Sequence, residues 1–190
     1  MRSSCRRKKC PANWAVYSAI LLIGMPTSEL ISVSEYLHTS YRPDRDYVDG
    51  LVMERNVGEK DHSKIQIKFG AYLFDRRKQW NICVFPEQRV QVKPTRFRVP
   101  DLCVVAGPEP DEQIFTTPPF ICIEILSRDD RMSQMQDKIE DYLSFGVPYV
   151  WILDPFKRKA YRCTADGNLE VNELRTENPD ILIPLDAVFA

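Results

Sequence analysis

Phe120-Ile121-Cys122-Ile123-Glu124-Ile125-Leu126 is apolar at both alternating sets of positions except for one carboxylate. Runs of this kind belong to central strands covered on both faces. An ionised carboxylate there is costly unless a cation, a metal or several donors compensate it. Val99-Pro100-Asp101-Leu102-Cys103-Val104-Val105, earlier in the chain, poses the same problem. Proline has no N–H for the ladder, so Pro100 marks a bulge or local edge just before the acid, and bulges re-aim side chains. The 22 residues between Asp101 and Glu124 allow the two acids to converge as hard oxygen ligands for Mg²⁺ or Mn²⁺, ions that prefer carboxylates and keep several waters. The plainer alternative pairs each acid with a lysine or arginine at the sheet's end, because ion-pair networks also hold buried carboxylates. Two acids in the same setting favour the metal pair.

The flanking sequence predicts the elements that cover such strands. Ser32-Val33-Ser34-Glu35 has capping-box spacing and starts a short helix through about His38. Asp46 to Glu54 reads as a hairpin around an Asp49-Gly50 turn. From Asp61 to Trp80, Ile65, Phe69, Tyr72, Leu73 and Trp80 recur at helical spacing, which predicts one long amphipathic helix capped by Asp61. Ile82–Phe85, Arg89–Val92, Phe97–Val105 and Phe120–Leu126 are β-rich runs punctuated by prolines. A second helix is predicted over Met132–Phe145, ended by Gly146, with a strand at Tyr149–Leu153. Ala160–Cys163 and Leu169–Leu174 form a second hairpin about Asp166-Gly167. Helix, hairpin, helix, strands, helix, strand and hairpin make an α/β domain with a mixed sheet.

The chain has 190 residues, enough for one full hydrophobic core, and acids nearly balance bases, 27 against 26. A nucleic-acid partner must therefore be met by a local basic patch and not by global charge. Residues 1–26 differ from the rest: Arg6, Arg7, Lys8 and Lys9 precede an apolar run from Trp14 to Ile23. That run is too short to span a bilayer, and no clean small-residue cleavage site follows it. The segment reads as an extension, either signal-like, a disordered tail or an overextended reading frame ending near Met25, and residues 27–190 as a single domain. The six cysteines show no Cys-x-x-Cys pair or zinc-ligand spacing. Cys83, Cys103 and Cys122 sit in apolar runs as small hydrophobes, which fits a reducing, cytoplasmic setting.

Val99-Pro100-Asp101, then Ile123-Glu124-Ile125-Leu126-Ser127, then a helix and Tyr149-Val150-Trp151-Ile152-Leu153-Asp154-Pro155, resembles the PD-(D/E)xK nuclease superfamily. More narrowly it resembles the Uma-type restriction-endonuclease-like domains, over about Ser28 to Phe189 and including Tyr47-Val48-Asp49-Gly50. The resemblance implies a restriction-endonuclease-like core with a mixed β-sheet flanked by helices, Asp101 and Glu124 holding the metal, and DNA as substrate. In the wider superfamily a lysine stands two residues after the second acid, where it orients the attacking water or stabilises developing charge. Here that position is Leu126. Lys138 is the candidate replacement. It lies about 60° from Met135 on the predicted helix, at the margin of the buried stripe, where a long side chain can aim its ammonium inward. The alternative is a solvated lysine paired with Asp141.

The resemblance also makes Asp46 a candidate third carboxylate; otherwise it is a surface turn residue. Arg89, Lys93, Arg96 and Arg98 would place cations near the Asp101 strand, suited to phosphates, although surface strands carry such charges anyway. His62, near a helix start, joins the candidate site, as do Glu87 and Gln88, which touch either the metal or only solvent. The expected activity is metal-dependent hydrolysis of DNA phosphodiesters, with no membrane partner and a homodimer left open. A nucleic-acid-binding or regulatory module without turnover is the alternative that Leu126 favours. A protein-interaction domain with a structural acid pair ranks last, because it leaves the ordered motifs unexplained.

Overall fold

The computed structural model describes residues 30–55 and 59–189; the expected extension, residues 1–26, lies outside them. Helix α1 (Val33–His38) starts where Ser32 accepts a hydrogen bond from the Glu35 amide, as the capping-box spacing predicts. Strands β1 (Asp46–Val48) and β2 (Leu51–Met53) form the expected hairpin. Its turn residues Asp49 and Gly50 both have positive φ, 49° and 99°, the conformation a tight two-residue hairpin turn requires.

The predicted long helix is two helices, α2 (Lys60–Asp75) and α3 (Arg77–Trp80). The break falls at Arg76, whose guanidinium folds back 3.7 Å over the Tyr72 ring and donates to the Tyr72 carbonyl. Asp61 does not cap α2; Glu59 precedes the helix without a side-chain cap, and Asp61 sits in the first turn, where its charge favours the helix dipole. Next come β3 (Ile82–Pro86), β4 (Val90–Lys93), β5 (Arg96–Arg98), β6 (Leu102–Ala106) and β7 (Ile121–Ile125). The Phe97–Val105 run, expected as one strand, is divided at Val99-Pro100-Asp101, so that β5 and β6 belong to different sheets. Pro100, with no N–H to offer a ladder, stands at that division.

Helix α4 (Met132–Phe145) has the predicted bounds and ends at Gly146, φ 100°. Strands β8 (Tyr149–Asp154), β9 (Lys159–Thr164) and β10 (Gly167–Val171) follow. The predicted Leu169–Leu174 strand stops at Val171, because Leu174 enters a separate hairpin of β11 (Glu173–Thr176) and β12 (Ile181–Pro184), closed by α5 (Leu185–Phe189).

The main sheet runs β10-β9-β8-β7-β6-β3, with β7 and β8 parallel and the other pairs antiparallel. Helix α4 is the crossover between the parallel strands. A second, antiparallel sheet runs β2-β1-β5-β4. Side chains alternate across β7: Ile121, Ile123 and Ile125 join the core under α2, α5 and the C-terminal hairpin, while Cys122 joins the core under α4. This is the mixed α/β architecture that the element order predicts. No helix among the described residues is long and apolar enough to cross a membrane.

Candidate active site

Period-two alternation carries Glu124 to the same face of β7 as Cys122, the face covered by α4. The antiparallel register pairs Leu102 with Ile123 and Cys103 with Cys122, and continued by one residue it sets Asp101 opposite Glu124. Both acids are buried, at 4% and 2% exposure. Lys138 and Tyr142, one helical turn apart on α4, reach down to Glu124: the ammonium donates to Oε2 at 3.0 Å and the hydroxyl to Oε1 at 2.6 Å. Lys138 also lies 3.7 Å from Asp46 and is not paired with Asp141, so the solvated-lysine alternative does not hold.

Asp101 is held from the other side. Arg55, just after β2, donates from Nη2 to Oδ1 at 2.6 Å. The Ile125 amide donates to Oδ2 at 2.7 Å, and His62 Nε2, in the first turn of α2, lies 3.1 Å from the same oxygen. Four residues further along α2, Gln66 donates to the Asp101 carbonyl at 3.1 Å. Asp101, Glu124, Lys138, His62, Arg55 and Asp46 all line one cavity of about 240 Å³.

Other expected site residues are placed differently. Asp46, a candidate third ligand, gives Oδ1 to the Val99 amide at 2.9 Å and Oδ2 to Arg98 at 3.1 Å. It ties the β1 hairpin to the end of β5. The cations expected to form a basic patch are each paired with a carboxylate, and Lys93 and Arg96 stay partly exposed. Arg98, 5% exposed, forks onto Asp141 Oδ2 at 2.9 and 2.7 Å, and Lys93 and Arg96 reach Asp141 Oδ1 at 2.8 and 3.1 Å. Arg89 grips Asp44 through two contacts of 2.6 Å and lies over the Tyr36 ring. Gln88 donates to the Arg89 and Gln113 carbonyls and does not line the cavity. Glu87 reaches the site only indirectly, 3.6 Å from Arg55. Sequence reasoning missed Arg55, which carries no local signal, and read Tyr142 as core alone; its i,i+4 spacing from Lys138 was the available clue.

The family model described as "Putative restriction endonuclease", Uma2, matches residues 33–189. The chain belongs to the Uma2 family. This Uma2 chain is similar to a crystal structure of "a putative nuclease belonging to DUF820" from Anabaena variabilis, with 21% identity, 84% of this chain and 97% of that chain covered, and a TM-score of 0.71. That likeness establishes the restriction-endonuclease-like fold. A cryo-electron-microscopy structure of a DrdV–DNA complex matches at 15% identity over 59% of this chain and 12% of that one, and its TM-score of 0.36 carries no argument. No curated protein matches the chain.

The electrostatics of the Uma2 chain's site separate its two acids. Burial works to raise the Asp101 carboxyl, but the His62 contact and the positive charges of His62, Arg55 and Lys138 hold it below the ordinary carboxylate range. Glu124 goes the other way: burial raises it, the Asp101 and Asp46 charges add to the rise, and Lys138 and Tyr142 only partly offset it. Lys138 would lose its proton more easily through burial alone, yet Asp46, Glu124 and Asp101 together push its pKa up and keep it charged. His62 is likewise raised, burial being outweighed by Asp101.

Among the described residues no group of three or more His, Cys, Asp and Glu is arranged to hold a metal ion. The donor set nonetheless fits a hard divalent cation chemically. Asp101 and Glu124 present two carboxylates to one cavity, and Mg²⁺ is commonly held by one or two carboxylates with water completing its shell. Asp46, held by Arg98 and the Val99 amide, lines the same cavity beside these two carboxylates.

Proposed function

We propose that this chain hydrolyses DNA phosphodiester bonds, with Asp101 and Glu124 as the ligands of a divalent cation and Lys138 as the charge-stabilising cation. The observation that carries this reading is the convergence of these three side chains, from the β5–β6 break, β7 and α4, on one cavity. A bound Mg²⁺ or Mn²⁺ would acidify a water and polarise the phosphorus centre. The protein's own part is positional and electrostatic. Tyr142 and Lys138 fix the Glu124 carboxylate, while His62, Arg55 and the Ile125 amide fix Asp101. Lys138 keeps its ammonium in a buried setting, where a fixed positive charge stabilises negative charge developing on a phosphate far better than in water. It thereby takes the place of the lysine missing at Leu126. DNA as the partner and a cytoplasmic setting belong to the same proposal.

The test is cleavage of a DNA panel by the wild-type protein and by Glu124→Gln, with Mg²⁺, Mn²⁺ or EDTA present. Loss of metal-dependent cleavage in Glu124→Gln, with the fold intact by circular dichroism, is expected; equal cleavage by that variant rejects the mechanism. One observation favours a second reading, a binding or regulatory module without turnover: each oxygen of both carboxylates already faces a protein donor. Calorimetric titration with Mn²⁺ separates the two, since heat that vanishes in Asp101→Asn and Glu124→Gln belongs to the nuclease alone.

A further inference from the structure

Arg55 has one arm more than its pairing with Asp101 uses. Its side chain is 8% exposed and Nη2 is committed to Asp101. Nη1 is buried and has no hydrogen-bond partner among the described residues. Glu87 Oε1 stands 3.6 Å from it, within ion-pair reach but beyond a hydrogen bond, and the Glu87 side chain is half exposed. An unmade hydrogen bond from a buried donor costs about 1 to 3 kcal/mol, more when the donor is charged.

Balancing Asp101 does not require this arrangement. His62 and the Ile125 amide already serve Asp101 Oδ2, and a lysine would suffice to serve Oδ1. What arginine adds is a rigid planar fork whose two ends can bond two different oxygens at once. Of the other cations lining the cavity, Lys138 is engaged with Glu124, Arg98 with Asp46 and Asp141, and His62 with Asp101, while Arg131 is exposed at the N-terminus of α4. A phosphate entering this cavity meets carboxylates at Asp46, Asp101 and Glu124, so it needs a specific donor and not a general field.

We propose that Arg55 is a phosphate-binding residue of the site, with Nη2 anchored on Asp101 and Nη1 held to donate to a non-bridging oxygen of a nucleic-acid phosphodiester. The inference rests on the nuclease reading and adds to it a group that grips the substrate. Because the anchor is Asp101 itself, the phosphate would be positioned against the same carboxylate that is proposed to hold the metal.

The test uses the full chain and a fluorescein-labelled DNA duplex, read by anisotropy in Ca²⁺ buffer, with cleavage followed separately in Mg²⁺. Arg55→Lys and Arg55→Gln should each weaken binding about 10-fold or more, Lys included because it lacks the fork. Glu87→Gln, at a half-exposed position, removes the competing acid and should tighten binding of the wild-type background but not of Arg55→Lys. Unchanged binding by both Arg55 variants, in a wild type that binds and cleaves, overturns this inference and leaves the nuclease reading standing. A wild type that neither binds nor cleaves overturns both. Should the Arg55 variants fail to fold, as judged by thermal melting, Glu87→Gln decides alone: unchanged affinity overturns the inference.

Discussion

Replacing Lys138 by Met leaves Glu124 buried at 2% exposure without its cation, keeping only the Tyr142 hydroxyl. Removing one member of a buried ion pair costs about 3 to 5 kcal/mol, because the remaining charge is uncompensated. Glu124 has an escape that limits this cost, which is to take up a proton. Burial already raises its pKa, with Lys138 pulling the other way, so deleting Lys138 raises it further. A group whose pKa in the folded state lies above its unfolded value contributes stability that is fully present below the unfolded pKa and is lost as pH rises towards the folded one. The variant should therefore be nearly as stable as wild type at about pH 5 and fall progressively behind by about pH 8, by at most roughly 1.4 kcal/mol per pH unit. Over that window the limit is about 4 kcal/mol, inside the range for a broken buried pair. In a chain of this size it corresponds to roughly 8 to 16 °C in melting temperature. Urea denaturation across pH measures the effect. A Lys138→Met, Glu124→Gln double variant should lose the pH dependence and recover much of the stability at high pH. A loss of equal size at every pH, or a double variant no more stable at high pH than the single one, would refute the reasoning.

Two further outcomes follow from the cation clusters. Burial tends to raise the Asp141 carboxyl, but Lys93 and Arg98 hold it below its ordinary value, so it contributes stability above its unfolded pKa that is lost as pH falls through the folded one. Asp141→Asn should cost about 3 kcal/mol near neutrality by leaving Arg98 short of a partner, with the gap to wild type closing below roughly pH 4 in acid denaturation curves. Arg89→Met breaks the two contacts with Asp44 and the stacking on Tyr36. It should lower the melting temperature by a few degrees, for about 1 to 2 kcal/mol, while changing DNA affinity less than about twofold. The opposite pattern in the anisotropy assay would make Arg89 a DNA contact.

Local physics made the site's acids and much of the fold legible. A lone carboxylate in an apolar strand demands an explanation wherever the strand lies, and a helix with apolar spacing and a glycine stop declares its own ends, as Met132–Phe145 does. The Asp49-Gly50 turn and the proline before Asp101 were equally local signals. The sequence by itself thus determined the α/β class, the two buried acids and the helix that presents Lys138. Tertiary structure alone decided which cations were free. Lys93, Arg96 and Arg98 look like a basic patch along the chain, yet their carboxylate, Asp141, lies 43 to 48 residues away on α4, where the nearest cation in sequence is Lys138. Arg55 sits 46 residues from Asp101 with nothing around it in sequence to mark it. Charge pairing acts through space over a few ångströms, whereas the spacings legible in a sequence extend only about one turn of helix or one hairpin. The pairing of these cations, and the Arg55 arm left without a hydrogen bond among the described residues, therefore emerge only when the sheets are assembled.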